Sequence, residues 1–207
     1  MKITICLLLG YLLGTVSPAA LISHIKHKSL REHGTGNLGA SNTLLVFGKG
    51  LGAVVMLLDI CKGFLAFWLA ARLEPDVAWL PMASGLLAVV GHCFPFYLRF
   101  KGGKGLAAFA GVVLAYDAKL FLFLLLSGMA LMLLVNHSFV LPFYASLFFF
   151  AAVVLRVESL AVSLSAAALS LLIVVMHFGN CIKAFRGQDL NLRVYIKTKL
   201  FQKSTSD

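Results

Sequence analysis

The sequence predicts an all-α polytopic membrane protein with seven transmembrane helices, its N-terminus outside and its C-terminus cytoplasmic. Three observations carry that prediction. Of 207 residues, 60% are hydrophobic and 13% charged, against about a quarter charged in a soluble domain. The apolar residues gather in long runs parted by short polar segments, and the mean hydropathy is +0.94. Lysine and arginine then fall unevenly between alternate polar segments, the pattern that orients a membrane protein. The net charge of +10 lies beside apolar segments, where it suits anionic headgroups and not nucleic acid. Cys6, Cys61, Cys93 and Cys181 lack paired spacing and read as small apolar fillers without a disulfide framework.

Taken in order, Ile3–Ile25 is long enough to cross about 30 Å of hydrocarbon. It has no clear small-residue cleavage site, so it is expected to stay as an uncleaved first span. Gly14, Thr15, Ser17 and Pro18 predict a local kink in a buried helix. A polar loop follows over 26–50. The second span is expected over 51–71 and carries Asp59 and Lys62, three residues apart and so on one helix face. Such charges inside a span are costly unless they pair or face a polar cavity. They read either as a structural pair or as the floor of a site. The third span is expected over 78–94. The apolar run 106–116 is too short to cross alone and reads as a helix inserted into protein. The fifth, sixth and seventh segments are expected over 120–135, 139–155 and 159–178. Lys26, Lys28, Arg31, Lys49, Arg99, Lys101, Lys104 and the basic tail fall on one side of this scheme, and Lys2, Arg72, Lys119 and Arg156 on the other. The rich side is read as cytoplasmic. One membrane domain over 1–207 results, with cytoplasmic motif loops at 26–50, 91–105 and 177–189 and a basic tail at 190–207.

The loop running from Gly91-His92-Cys93-Phe94-Pro95 to Phe100-Lys101-Gly102-Gly103-Lys104-Gly105 is the densest chemical signal. Glycines let a backbone approach an anion and aim N–H groups at it, and Gly105 is expected to open a helix whose N-terminus favours negative charge. No Ser or Thr follows Lys104 to hold magnesium, so this is not a nucleotide P-loop. The loop Arg31-Glu32-His33-Gly34-Thr35-Gly36-Asn37-Leu38-Gly39-Ala40-Ser41-Asn42 reads as a second anion or polyol cradle. His177 and Asn180 share a helix face, and Asp189 follows a glycine that can turn the chain back towards them.

That set suits group transfer between a phosphorylated acceptor and an acyl donor. Lysine, arginine and backbone N–H groups hold phosphate, a histidine or the substrate's own phosphate takes the hydroxyl proton, and an amide steadies the oxyanion. No serine or cysteine stands beside an obvious base, so no acyl-enzyme is expected. No His/Cys/Asp set has zinc spacing, so neither metal nor other cofactor is expected. A membrane binder or transporter of a phosphorylated small molecule is the alternative, although a transporter would spread its charges along a path to both faces.

These three motifs, with Asp59 and Lys62-Gly63, resemble the acyl-phosphate-dependent glycerol-3-phosphate acyltransferases of bacteria, the PlsY family. The resemblance implies seven spans in the cytoplasmic (inner) membrane. It also implies transfer of a fatty acyl group from acyl phosphate to the 1-hydroxyl of sn-glycerol 3-phosphate, giving lysophosphatidic acid and phosphate. His177 and Asn180 would serve the reacting centre, with Thr35 counted among the catalytic residues. Arg31, Gly36, Asn37, Gly39, Asn42, His92, Lys101, Gly102, Gly103, Lys104, Gly105 and Asp189 would bind substrate or phosphate. Membrane lipids and the enzyme that makes acyl phosphate are the implied partners. The chain departs from the family pattern at Thr35, usually Ser, at Gln188-Asp189, usually Thr-Glu, and at Asn136-His137-Ser138, where a cation is common. Those changes also admit a catalytically lapsed paralogue.

Overall fold

The computed structural model describes residues 1–156 and 159–188, and among these all regular structure is helical. Asp189 and the basic tail lie outside the described residues. The described residues form nine α-helices in order: α1 (Lys2–Thr15), α2 (Pro18–Ile25), α3 (Ala40–Phe47), α4 (Lys49–Leu73), α5 (Leu80–Cys93), α6 (Leu106–Tyr116), α7 (Ala118–Val135), α8 (Val140–Arg156) and α9 (Leu160–Phe185). A 3-10 turn, Phe96–Leu98, joins α5 to the glycine loop. Among the described residues, five segments are long and apolar enough to cross a membrane: Lys2–Ile25, Lys49–Leu73, Leu80–Leu98, Ala118–Val135 and Leu160–Phe185. The apolar helices α6 and α8 are shorter.

Three expectations are corrected. The first span does not merely kink but breaks. Pro18 has no N–H to continue the ladder, and Ser17 caps a new helix by accepting the Ala20 N–H at 3.3 Å. The loop at 26–50 contains a helix, α3, because the run Ala40–Phe47 between Gly39 and Gly48 has no breaker inside it. The third motif is not a loop up to Phe185. His177, Asn180 and Lys183 lie within α9, because no proline interrupts the segment and the first left-handed residue after it is Gly187.

Helix α5 occupies the middle, packed against α1, α4, α6 and α9, while α7 and α8 complete the bundle beside α6 and α9. In lipid, helices associate through close packing of small residues more than through apolar burial. Gly14 lies under the Ala88 carbonyl and Gly91 against the Tyr11 carbonyl, so α1 and α5 nearly touch backbone to backbone. Gly63 against Ala108 and Gly111 against Ile60 do the same for α4 and α6. The main core gathers Met82, Val89, Phe109, Phe149, Leu169 and Ile173, with Phe109 edge-on to Phe149 at 5.4 Å between ring centres. Outward positions such as Leu126, Leu147 and Leu171 remain exposed, as a lipid-facing belt requires. Inside this packing Ser84, fully buried, shares its hydroxyl between the Cys6 and Ala66 carbonyls at 3.1 and 3.0 Å.

Candidate active site

The break between α1 and α2 exposes backbone groups, and the site is built partly on them. The Tyr97 hydroxyl donates to the Thr15 carbonyl at 2.7 Å and the Lys62 ammonium to the Val16 carbonyl at 2.8 Å. Tyr11 reaches across to donate to the Phe94 carbonyl at 2.9 Å. The two tyrosine bonds fix the end of α5 and the turn after it to α1, and the Lys62 bond ties α4 to the break.

The first motif is folded by Asn42, a residue with no solvent exposure. Its carbonyl oxygen accepts the Thr35 N–H at 2.7 Å, and its amide nitrogen faces the carbonyls of Leu30, His33 and Asn37 at 2.8, 3.1 and 3.0 Å. A direct substrate contact expected of Asn42 is therefore corrected, since both ends of the amide are spent on the loop. Gly34 and Gly36 take left-handed backbone angles, and a Cβ on Gly34 would strike the Asn42 side chain. Gly39 begins α3 and rests near the Asn37 amide nitrogen. Thr35 and Arg31 are exposed and Asn37 half-buried.

The second motif meets the first. The Arg31 guanidinium donates to the Lys101 carbonyl, and Gly103 sits against both the His92 ring and the Leu38 carbonyl. The N–H groups of Gly102 and Gly103 donate inward to the carbonyls of Cys93 and His92 at 2.8 and 3.1 Å. This too is a correction, because those two N–H groups shape the loop and do not point at an anion. Gly105, in the left-handed region at φ 85°, opens α6, and its Cα faces Val89, Cys93 and Ile173. Lys101 is exposed and Lys104 half-buried.

The third motif closes the ring. The Lys104 ammonium donates to the Asn180 side-chain carbonyl. An ammonium can only donate, so the Asn180 oxygen is the atom that faces it, and the Asn180 NH₂ is left for another partner. One turn earlier, the buried His177 Nδ1 lies 2.9 Å from the Ile173 carbonyl. A carbonyl can only accept, so Nδ1 carries the proton and Nε2 offers its lone pair. The result is a histidine with a bare Nε2 and, one turn on, an amide in contact with a lysine from another element. The structure thus brings Arg31, His92, Lys101, Gly103, Lys104 and Asn180 into one connected constellation.

Two features were missed at the level of sequence. A groove of about 350 Å³ opens beside Arg31, lined by Ser23, His24, His27, Lys28 and Leu98 among others; the signal was the basic and histidine-rich end of the first apolar run. The other is a third partner for the Asp59–Lys62 pair. The Lys62 ammonium is 2.8 Å from the Asp59 carboxylate, and His92 Nδ1 approaches the same carboxylate at 3.3 Å. A contact between Asp59 and His92 left no local mark in the sequence.

A helical membrane protein that collects cations, an oriented histidine and an oriented amide around a glycine loop is the class defined so far. The profile of the glycerol-3-phosphate acyltransferase family matches residues 4–187, and the chain belongs to that family. A Streptococcus thermophilus protein named glycerol-3-phosphate acyltransferase is 44% identical over 128 residues, 61% of this chain and 59% of that protein. Relatives of that kind from Halalkalibacterium halodurans and Wolbachia are matched over 52% and 62% of their lengths, so the chain spans little more than half of them. The Lactiplantibacillus plantarum relative is 34% identical over 199 residues, 91% of both chains. The crystal structure of PlsY, described as an integral membrane glycerol 3-phosphate acyltransferase, in its glycerol 3-phosphate form matches with TM-score 0.87 and 29% identity. That match covers 93% of this chain and 96% of that one. The lysophosphatidic acid form matches with TM-score 0.84 and 28% identity over 92% and 95%.

Proposed function

We propose that this protein transfers a fatty acyl group from acyl phosphate to the 1-hydroxyl of glycerol 3-phosphate, releasing lysophosphatidic acid and phosphate. The observation that carries this reading is the Lys104–Asn180 contact, which joins a phosphate-type cation to an oxyanion-type donor beside His177. In the proposed reaction Lys104, Lys101 and Arg31 hold phosphate groups, and the groove beside Arg31 gives them a cationic approach. His177 Nε2 takes the proton as the glycerol oxygen bonds to the acyl carbon. The Asn180 NH₂ steadies the negative charge that develops on the acyl oxygen. The carbon–oxygen bond to phosphate then breaks, and phosphate leaves with the electron pair. Thr35 and Asn37, in the first motif with Arg31, are assigned to substrate, and Asp189 is retained as a further binding group. The acyl donor reaches the site from the bilayer, and the enzyme that makes acyl phosphate is its proposed source.

The same reading assigns seven spans, with α6 and α8 counted, an outside N-terminus and a cytoplasmic C-terminus in the bacterial inner membrane. It is supported by the five long apolar segments, the two shorter ones and the lysine and arginine distribution. The test is transfer of labelled glycerol 3-phosphate into lysophosphatidic acid by the purified protein in vesicles with acyl phosphate supplied. Lys104→Met is expected to lower kcat/KM by about 100-fold or more while leaving the thermal midpoint close to that of the parent. Absence of product from well-folded parent protein, or full activity in Lys104→Met, would sink the proposal. Uptake of glycerol 3-phosphate into sealed vesicles without product would favour the transporter instead.

A further inference from the structure

Asp59, Lys62 and His92 are 1%, 5% and 7% exposed, and the reaction proposed above uses neither of the first two. A buried pair needs only two members to balance its charge. Here a third is drawn in, and it is the residue on which the glycine loop rests. The His92 carbonyl accepts the Gly103 N–H at 3.1 Å. A Cβ on Gly103 would overlap the Nε2 edge of the His92 ring, so His92 touches the loop through its ring and is hydrogen-bonded to it through its backbone. The ring in turn is aimed by Asp59, which faces Nδ1 at 3.3 Å. A carboxylate only accepts, so Asp59 favours the tautomer with the proton on Nδ1 and the bare Nε2 towards Gly103. Lys62 completes the chain at both ends, 2.8 Å from Asp59 and 2.8 Å from the Val16 carbonyl at the helix break. Lys104 is the next residue after Gly103, and its ammonium meets Asn180.

We infer that Asp59 and His92 are positioning residues for Lys104: the carboxylate fixes the ring, the ring fixes Gly103, and Gly103 fixes where the lysine meets Asn180. The role of Lys104 itself rests on the proposed acyl transfer, but the linkage from Asp59 to the loop does not. A purely structural ion pair would ask only that the charges cancel. A positioning group must also hold one orientation of the imidazole.

The experiment compares the full chain with Asp59→Asn and with the double variant Asp59→Asn/Lys62→Gln. Three quantities are read: the thermal midpoint, kcat and KM for both substrates, and the ¹⁵N spectrum of His92 in histidine-labelled protein. Asp59→Asn is expected to lose stability, because Lys62 is left without its counter-charge. The double variant is expected to recover the midpoint but to keep kcat/KM for glycerol 3-phosphate at least tenfold down, with His92 passing from a single Nδ1–H form to a mixture. Recovery of activity together with the midpoint would overturn the inference, as would an unchanged His92 spectrum in Asp59→Asn. Should the double variant not fold, Asp59→Glu keeps the charge balance with Lys62 and moves the carboxylate by one methylene. It is expected to hold the midpoint while changing the His92 spectrum and lowering kcat/KM, and full activity with a parental spectrum would overturn the inference. A parent protein without acyl transfer removes the proposed function alone, since the His92 spectrum needs no turnover.

Discussion

Asn42 and Thr35 lie seven residues apart, joined by one hydrogen bond of 2.7 Å, yet they answer to different pressures. Asn42 holds three stretches of one loop through a fully buried amide. Its removal strands several backbone groups at once, each costing about 1–3 kcal/mol when buried and unpaired. Asn42→Ala is therefore expected to destabilise the protein by about 3 kcal/mol, read as a lowered midpoint in thermal unfolding in detergent. Thr35 contributes its backbone N–H to that fold and presents its side chain at an exposed position. Thr35→Ala is expected to shift stability by no more than about 0.5 kcal/mol, as surface changes do, and to lower the rate of product formation. A large loss of midpoint in Thr35→Ala would show that the hydroxyl belongs to the fold and not to the chemistry. The sequence made both residues visible as polar groups in a glycine-rich loop, but it gave no means of telling the builder from the worker. That distinction depends on burial, which depends on what packs over the loop.

At the scale of elements, Asp117 shows how little chain is needed to join two helices and clamp a third. Its carboxylate caps α7 by accepting the Lys119 and Leu120 N–H groups at 2.8 and 3.0 Å, and it accepts Arg156 from the end of α8 at 2.7 Å. The Leu120 N–H first, and the Arg156 guanidinium next, hold its carboxyl below the ordinary value of 3.8. A carboxylate favoured in the folded state stabilises it above the unfolded pKa and loses that contribution as pH falls through the folded one. Asp117→Asn is thus expected to melt below the parent at pH 6, with the gap closing as pH drops below 3.8. Thermal scans across that range check it, and equal midpoints at pH 6 would show the cap to be idle. The apolar segments and the short helix after Gly105 were legible beforehand. The limits of α9 were not, since His177, Asn180 and Lys183 look like the start of a polar loop. They are instead part of a helix that runs on to Phe185, with His177 buried, Asn180 half-buried and Lys183 exposed. Helix α3 was hidden for the opposite reason, being eight residues long between glycines. The Asp59–His92 contact spans two helices, and no periodicity within either one announces it.

For the molecule as a whole, the orientation assigned to it makes a separable prediction. In a variant whose native cysteines are replaced, a membrane-impermeant thiol reagent added to spheroplasts should label Arg72→Cys and spare Lys28→Cys until the membrane is opened. Labelling of Lys28→Cys from outside would invert the topology and with it the placement of the motifs. The lengths of the helices then set a depth. α6 and α7 meet at Asp117, and at about 1.5 Å per residue the 11 residues of α6 rise roughly 16 Å while the 18 of α7 rise roughly 27 Å. Gly105 consequently sits about 10 Å below the far end of α7, and His177 lies about 12 Å short of the end of α9 at Phe185. In the proposed orientation the groups assigned to acyl transfer therefore lie below the cytoplasmic ends of their neighbouring helices. On that reading a water-borne glycerol ester descends to them, while a fatty tail already at that level has no need to climb out.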